Sequence, residues 1–310
     1  MAGLWAAIAA ATIWGVAPLF FAMLRHVPAE ELLAHRTIWA AVFVGGFCLL
    51  TGRTGRIAAA LGDARERRVL AMSACLIGAN WFIFLLAIQA GRVTECGIGY
   101  YIMPLMGVVL GVAVLGERLD RAQWAAVGLA VLAVVVLSAG TGSAPWLPLS
   151  LALSFSLYGL LRKRAATGAI SGFVVETMLL APLALVWVWG AGAFGWTGFS
   201  GGTGGHFGAD LRTSLLLVAA GPVTGVPLIL FAEAARRLAY STTGLVLYIG
   251  PTLQVLLASL VLGEHLTGWH YGALPMIWLA LGLYSTSALL RDRASRRAAT
   301  ALSTVSTTIR

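Results

Sequence analysis

Ten stretches of about twenty mostly apolar residues follow one another along the chain, separated by short segments that carry most of the charged side chains. A helix needs about 20 apolar residues to cross the hydrocarbon core of a bilayer, because it rises only about 1.5 Å per residue. The pattern therefore predicts an all-α membrane protein with ten transmembrane helices. The predicted spans are residues 4–24, 31–50, 69–90, 96–115, 123–140, 145–161, 172–190, 214–233, 243–262 and 268–290.

The composition supports this interpretation. Of the 310 residues, 59% are hydrophobic and only 11% are charged, whereas a soluble domain carries roughly 25% charged residues. The net charge of +9 does not indicate a nucleic-acid partner, because the arginines lie in short loops rather than on one face or arm. Cys48, Cys75 and Cys96 have neither a disulfide framework nor a zinc-site spacing. We expect the lipid bilayer as a partner and no cofactor, metal or nucleic acid.

The basic residues predict how the helices are oriented. With the amino terminus in the cytoplasm, 17 of the 21 basic residues fall in cytoplasmic segments or in the tail. Cytoplasmic loops of membrane proteins are enriched in Lys and Arg, so both termini are predicted to lie in the cytoplasm. Three arginines fall outside, namely Arg25, Arg92 and Arg212, and Arg36 lies within a span.

A repeated phrase indicates two related halves. Three residue pairs share an offset of 147 positions: Tyr101 and Tyr248, Pro104 and Pro251, Glu117 and Glu264. Five helices per half is an odd number, so the second half enters the membrane from the opposite side and the repeat is inverted. Inverted halves can open a central site first to one side and then to the other. We predict a first repeat at 1–140 and a second at 145–290.

Two further segments are not predicted to span the membrane. Residues 191–210 contain eight glycines, and we predict a flexible outer loop, since a phosphate-binding glycine loop follows a strand and opens a helix. The tail at 291–310 is rich in Arg, Ser and Thr and is predicted to be disordered in the cytoplasm.

Pro104 and Pro251 are predicted hinges. A proline inside a helix removes a hydrogen-bond donor and leaves the carbonyl four residues earlier unpaired. Tyr101 and Tyr248 precede the prolines by three residues, so each ring shares a face with its break. The pattern predicts a substrate contact beside a hinge, and the alternative is a packing kink.

Aromatic and amide side chains within the predicted spans are predicted to line a substrate cavity. Trp14 and Tyr158 each precede a glycine, which lets a neighbouring helix approach while the ring faces the cavity. Asn80 and Trp81 lie in the middle of the third span, where the amide suits an asymmetric substrate. Plain helix packing is the alternative for Trp14 and Tyr158, and a hydrogen bond that joins two helices is the alternative for Asn80.

Three ionisable residues fall inside predicted spans. His35 and Arg36 lie in the second span and Glu176 in the seventh, which is its repeat partner. Charged groups at membrane depth are costly and often functional. We predict that Glu176 or His35 accepts a proton linked to transport, while Arg36 holds an anion or a helix carbonyl. The alternative is that the helices begin later and these side chains reach the interface.

Taken together, these motifs resemble the EamA family of the drug/metabolite transporter superfamily, and within it the RarD type, the chloramphenicol-sensitivity proteins of bacteria. The similarity covers roughly residues 4–290. The phrases that carry it include Trp14-Gly15-Val16-Ala17-Pro18, His35-Arg36-Thr37-Ile38-Trp39, Gly78-Ala79-Asn80-Trp81, Tyr158-Gly159-Leu160 and Tyr248-Ile249-Gly250-Pro251. The resemblance implies a multi-pass transporter of the bacterial inner membrane, and it supplies no substrate.

We therefore expect a secondary transporter of a small, partly apolar organic solute, coupled to protons or to a counter-solute. No P-loop and no spacing for nucleophilic or metal-dependent catalysis is present in the sequence, so an enzyme is not predicted. A channel and a non-transporting membrane partner are the alternatives. A homodimer is left open.

Overall fold

The computed structural model describes residues 2–116, 119–141, 145–198, 202–237 and 246–308. Within these ranges the chain is helical apart from loops, turns and two isolated β-bridges. The helices are α1 (Ala2–Ala22), α2 (Ala29–Leu50), α3 (Thr54–Gly62), α4 (Ala64–Gln89), α5 (Val93–Leu115), α6 (Arg121–Thr141), α7 (Trp146–Arg164), α8 (Ala169–Phe194), α9 (Leu211–Arg237), α10 (Ile249–Leu260) and α11 (Gly268–Thr308).

A helix lies over each of the ten predicted spans, although residues 243–245 of the ninth span fall outside the described ranges. The helix α3 is an addition that the hydrophobic pattern did not predict. Seven described helices are long and apolar enough to cross a membrane, namely α1, α2, α4, α5, α6, α8 and α9. These helices are those of a multi-pass membrane protein, and the count of ten spans stays a prediction.

Helices of the first half pack mainly against helices of the second. The pairs are α1 with α9 and α10, α7 with α4 and α5, α2 with α8 and α9, α4 with α8, α5 with α10, and α6 with α11. With the short helix α3 set aside, the ten other described helices can be matched in order, α1 with α7, α2 with α8, α4 with α9, α5 with α10 and α6 with α11. Exchanging the matched helices reproduces the same set of pairs.

Glycines allow the closest of these crossings. A Cβ atom on Gly15 would lie 2.8 Å from Cβ of Leu253 and 3.1 Å from the carbonyl oxygen of Gly250, so α1 and α10 meet backbone to backbone. A Cβ on Gly99 would lie 2.9 Å from the carbonyl oxygen of Pro148, at the crossing of α5 and α7. Small residues at such crossings are typical of membrane helices. Gly159, the predicted counterpart of Gly15, has open space around it.

We call the end of the bundle that carries residues 23–28 and 202–210 the outer end, and the end that carries 51–63 and 165–168 the inner end, following the predicted orientation. At the inner end Asp63 begins α4, and its carboxylate accepts hydrogen bonds from the backbone amides of Arg65 and Glu66 at 2.7 and 3.2 Å. The amide of Glu66 followed by that of Arg65 lowers the pKa of Asp63 from its usual value of 3.8, because both donors stabilise the charged carboxylate.

The tail differs from its predicted state. The backbone of α11 continues as helix to Thr308, across most of the segment at 291–310 for which the composition predicts disorder. Extending an existing helix adds one hydrogen bond per residue without a second nucleation step. A polar tail that follows a helix can therefore keep a helical backbone.

Candidate functional site

The first group of site residues lies in the outer half of α2, around Arg36. The guanidinium carbon of Arg36 lies 5.0 Å from the ring centre of Phe21 and 4.4 Å from that of Trp81. The side chain is buried, and its Nε and Nη1 atoms have no hydrogen-bond partner in the described part of the chain. The phenol of Tyr100 lies close enough to interact with it electrostatically. Trp81 also packs edge to face on Phe173, at 5.9 Å between ring centres.

His35 faces a different neighbour. Its ring stacks on Phe207 of the outer loop, at 4.8 Å between centres, and its Nε2 lies 4.0 Å from Oε1 of Glu31. Both of its ring nitrogens are buried without a hydrogen-bond partner among the described residues. Adjacent residues on a helix do not share a direction, and Arg36 contacts helices while His35 contacts the loop.

Glu31 anchors the outer loop. Its carboxylate accepts hydrogen bonds from the backbone amides of Gly205, His206 and Phe207 at 3.1, 2.7 and 3.3 Å, and Nδ1 of His206 lies 2.9 Å from Oε2. Of the segment 191–210, for which the sequence predicts a flexible loop, residues 191–194 belong to α8, and Gly205, His206 and Phe207 are held against α2. Residues 199–201 lie outside the described ranges.

The second group lies toward the inner end of α8, around Glu176. This carboxylate is fully buried and accepts a hydrogen bond from Oγ of Ser73 on α4 at 2.5 Å and one from the hydroxyl of Tyr158 on α7 at 3.3 Å. Nη1 of Arg162 lies 3.5 Å from Oε1. We call Glu176, Ser73, Tyr158 and Arg162 the inner cluster. It joins one helix of the first half to two of the second.

Arg162 has room in this cluster because Gly172 has no side chain. A Cβ atom at Gly172 would lie 2.1 Å from Nη1 of Arg162. The other terminal nitrogen, Nη2, donates to the carbonyl oxygens of Thr167 and Gly168 at 3.4 and 3.2 Å, just before α8 begins. The arginine therefore ties the end of α7 to the start of α8.

A row of aromatic rings connects the two groups. Successive ring centres are 6.1, 6.1, 6.4 and 5.6 Å apart along Phe21, Phe84, Tyr100, Phe155 and Tyr158. These rings come from α1, α4, α5 and α7 and so from both halves. The row begins at the ring beside Arg36 and ends at the hydroxyl that donates to Glu176.

Asn80 lies on α4, one helical turn before Phe84 of this row, and serves partly as a link between helices. Its Nδ2 donates to the carbonyl oxygen of Leu151 at 3.0 Å and to Oγ of Ser154 at 2.9 Å, both on α7. Its Oδ1 is buried and has no partner in the part of the chain that the structure describes. The donor side of the amide thus fixes α4 to α7, and the acceptor side is free.

Three other residues predicted for the cavity lie apart from this row. Tyr101 is buried, and its hydroxyl forms a 2.6 Å hydrogen bond with Oγ1 of Thr252, so the two copies of the repeated phrase contact each other. Tyr248 packs against the same hydrophobic cluster of α5, α6 and α11. Trp14 packs on Phe231 at 5.8 Å, and its carbonyl oxygen accepts a bond from Gln254.

The two predicted hinges differ in local structure. The helix α5 runs through Pro104 from Val93 to Leu115, whereas helical backbone at 246–247 is interrupted at Tyr248, three residues before Pro251. Of the repeated glutamates, Glu264 accepts bonds from the backbone amides of Val93 and Thr94 at 2.6 and 2.7 Å and caps α5. Glu117 lies outside the described residues.

Several site residues were missed by sequence reasoning. Arg162 belongs to the run Arg162-Lys163-Arg164, which the charge distribution assigned to a cytoplasmic loop, although its position one helical turn after Tyr158 places both on one face. Phe207 lies in a glycine-rich loop with no helical periodicity. Ser73 and Glu31 gave no distinct signal, because a serine in an apolar helix and a glutamate in its first turn are both common.

Comparison with known proteins gives consistent results. The sequence profile of the EamA-like transporter family matches residues 1–139. Similar chains include an uncharacterized transporter of Pseudomonas aeruginosa, 42% identical over 91% of this chain and 92% of that protein, and protein RarD of Escherichia coli, 39% identical over 94% and 96%. The chloramphenicol-sensitive protein RarD of Pseudomonas aeruginosa is 29% identical over 95% and 97%.

One solved crystal structure has a similar fold. It aligns with a TM-score of 0.58 at 19% identity and covers 92% of this chain and 98% of that chain. At this identity the similarity concerns the fold alone.

Proposed function

The chain belongs to the EamA family of transporters and is a relative of its RarD proteins, and we propose that it moves a small organic solute across the bacterial inner membrane by alternating access. It is a multi-pass membrane transporter of the drug/metabolite type. In this proposal the ten matched helices, which are all the described helices except α3, form two inverted halves of five. Both termini lie in the cytoplasm.

The observation that carries the proposal is the aromatic row between two buried ionisable groups. Arg36 on α2 and Glu176 on α8 occupy matched helices of the two halves, and rings from both halves connect them. Ionisable groups at membrane depth mark substrate or ion pathways by default. Aromatic walls suit a solute with an apolar body, since their faces and edges both offer favourable contacts.

The exchange-symmetric packing supports an inverted repeat. Exchanging the two halves leaves the set of helix pairs unchanged. A conformation that is open to one side of the membrane therefore has a counterpart of similar energy that is open to the other side. The inner cluster and the contact of α2 with the outer loop then act as the closures at the two ends.

Glu176 is our candidate for the coupling group. Protonation would remove its attraction for Arg162 while Ser73 and Tyr158 stay within hydrogen-bond distance. The contact between α7 and α8 would weaken, and the inner end would open. His35, which lies 4.0 Å from Glu31, is the second candidate for the same role.

Transport can be tested with purified full-length protein in liposomes loaded with a mixture of small cytosolic metabolites. Saturable release of particular metabolites, driven by an imposed pH gradient, is the expected result. Unsaturable release would indicate a channel, and no release in either gradient direction would indicate a non-transporting partner. Tags near residues 60 and 163 that report on opposite sides of the membrane would rule out the proposed topology.

A further inference from the structure

We infer that the solute is an organic anion, a carboxylate with an apolar or aromatic body, and that Arg36 binds its negative group. The inference rests on the proposed function and specifies its substrate class. It begins from a buried charge in the outer half of α2 that the described residues leave uncompensated.

The unpaired state of Arg36 contrasts with that of two other arginines, which lie at the ends of their helices. Arg162 lies 3.5 Å from the carboxylate of Glu176, and Arg92, which like Arg36 lies over a tryptophan ring, is bound by both oxygens of Glu95. Among the described residues no carboxylate pairs with Arg36. Because a buried cation is costly unless it is paired, an anion from outside the chain would compensate the charge.

The neighbours of Arg36 leave its N–H groups available to a ligand. Phe21 and Trp81 attract the cation through their ring faces, but the N–H groups at Nε and Nη1 have no acceptor among the residues that the structure describes. A carboxylate offers two oxygens to a guanidinium and forms short charge-assisted hydrogen bonds with it. Arginine is the residue best suited to this geometry, since a lysine presents only a point charge.

The surroundings describe the rest of the ligand. From Phe21 the aromatic row leads away toward the inner end, so an apolar body attached to the carboxylate would lie against rings. The combination of a cation with aromatic rings favours an amphipathic acid over an inorganic anion, because an inorganic anion has no apolar part to contact the rings.

The first test compares four probes of similar shape on the purified wild-type protein: phenylacetate, phenyl phosphate, phenylacetamide and phenethylamine. Binding is followed by the quenching of tryptophan fluorescence, with Trp81→Phe to assign the signal. We expect saturable binding of phenylacetate, weaker binding of phenyl phosphate, and none of the neutral or cationic probes. Equal binding of phenylacetamide, or no binding of phenylacetate, would overturn the inference.

Variants then locate the site. Arg36→Gln should weaken phenylacetate binding about 10- to 100-fold, as expected for the loss of a charge-assisted hydrogen bond, and Arg36→Lys should weaken it less. Arg92→Gln is the matched control and should leave the affinity unchanged. If Arg36→Gln does not fold, the comparison of probes on the wild type still decides the question. An affinity unchanged in folded Arg36→Gln would contradict the assignment.

The source of the anion is tested by repeating the titration in nanodiscs. If anionic phosphatidylglycerol displaces phenylacetate and zwitterionic lipid does not, a lipid headgroup occupies the site and the inference is wrong. Failure of this inference is distinct from failure of the proposed function. Saturable flux of neutral or cationic metabolites would refute the anion and leave a transporter, whereas the absence of any flux would remove the transporter as well.

Discussion

Arg36 on α2 and Glu176 on α8 occupy matched helices, yet their surroundings differ in one respect. Glu176 has a hydroxyl from Ser73, a hydroxyl from Tyr158 and a cation from Arg162, so its charge and its lone pairs are satisfied within the chain. Among the described residues, Arg36 has aromatic rings and the phenol of Tyr100 as neighbours and no carboxylate.

The difference separates two kinds of buried charge. A charge that is paired inside the protein holds helices together and can be switched by protonation, because the partners are fixed and only the proton changes. A buried charge that is left unpaired within the protein can bind a ligand of opposite charge. The two halves would thus have divided one task, with recognition on α2 and coupling on α8.

The variant Glu176→Gln is the most direct test of the coupling role that this comparison gives to Glu176. We expect pH-gradient-driven flux to fall to the level of liposomes without protein, because the amide can no longer change charge, while solute exchange without a gradient persists. Flux is measured in proteoliposomes under both conditions. Glu233→Gln removes a partly exposed glutamate that pairs with Arg237 and should change neither. A normal gradient response of Glu176→Gln would shift the coupling role to His35.

Compared with Glu176→Gln, the variant Arg162→Gln should reduce flux less and should reduce the stability of the protein more. It leaves the Glu176 carboxylate buried without its cation, which destabilises proteins by roughly 3 kcal/mol. Thermal unfolding in detergent should show the loss, and the double variant Arg162→Gln/Glu176→Gln should recover much of it. Arg237→Gln, at an exposed pair, should cost about 0–1 kcal/mol. If Arg162→Gln and Arg237→Gln lost the same amount of stability, the ion pair of the inner cluster would be no stronger than a surface pair.

A smaller effect is expected from Gly172→Ala, which changes no charge. The new methyl group would occupy the space of the Arg162 guanidinium, 2.1 Å from its Nη1 atom, so the flexible side chain must move away from Glu176. We expect a loss of about 1 kcal/mol and a shift in the pH at which flux is half-maximal. Gly168→Ala is the control, since a Cβ atom there meets open space. An unshifted pH profile would show that the ion pair does not set the proton response.

The smallest effect concerns Asp63, which begins the helix that carries Ser73. Since its folded pKa is lowered from the usual value of 3.8, its contribution to stability is present above that value and is lost as the pH falls through the lowered pKa. Asp63→Ala should therefore lower the melting temperature slightly at neutral pH and not in strong acid. Asp63→Asn, which also caps helices, should show no such pH dependence. A difference that persists in acid would show that the carboxylate charge is not involved.

Local patterns in the sequence predict much of the fold. The hydrophobic runs locate the helices, because the length and the apolar composition of a span are properties of consecutive residues. They do not predict α3, which is too short and too exposed to carry that signal. The pairing of α1 with α9 and α10 depends on contacts between distant segments, and only the repeated phrase gave an indication of it.

The site was predicted in part. Burial of an ionisable residue can be inferred from its place in an apolar run, as for Arg36 and Glu176. Its partners cannot, since they come from helices that are adjacent only in the folded protein. The tyrosines illustrate the limit: Tyr158 reaches Glu176, whereas Tyr101 bonds Thr252 in a packed region, although both precede small or kinked positions in the sequence.

The bond between Tyr101 and Thr252 has a mechanical consequence. It lies where α5 crosses α10, and this pair of helices is its own counterpart when the halves are exchanged. Points near an axis of rotation travel least, so a link there can survive a rocking motion that separates residues farther out. The two halves would then turn about a fixed pivot, and the solute would pass beside that pivot without the bond having to break.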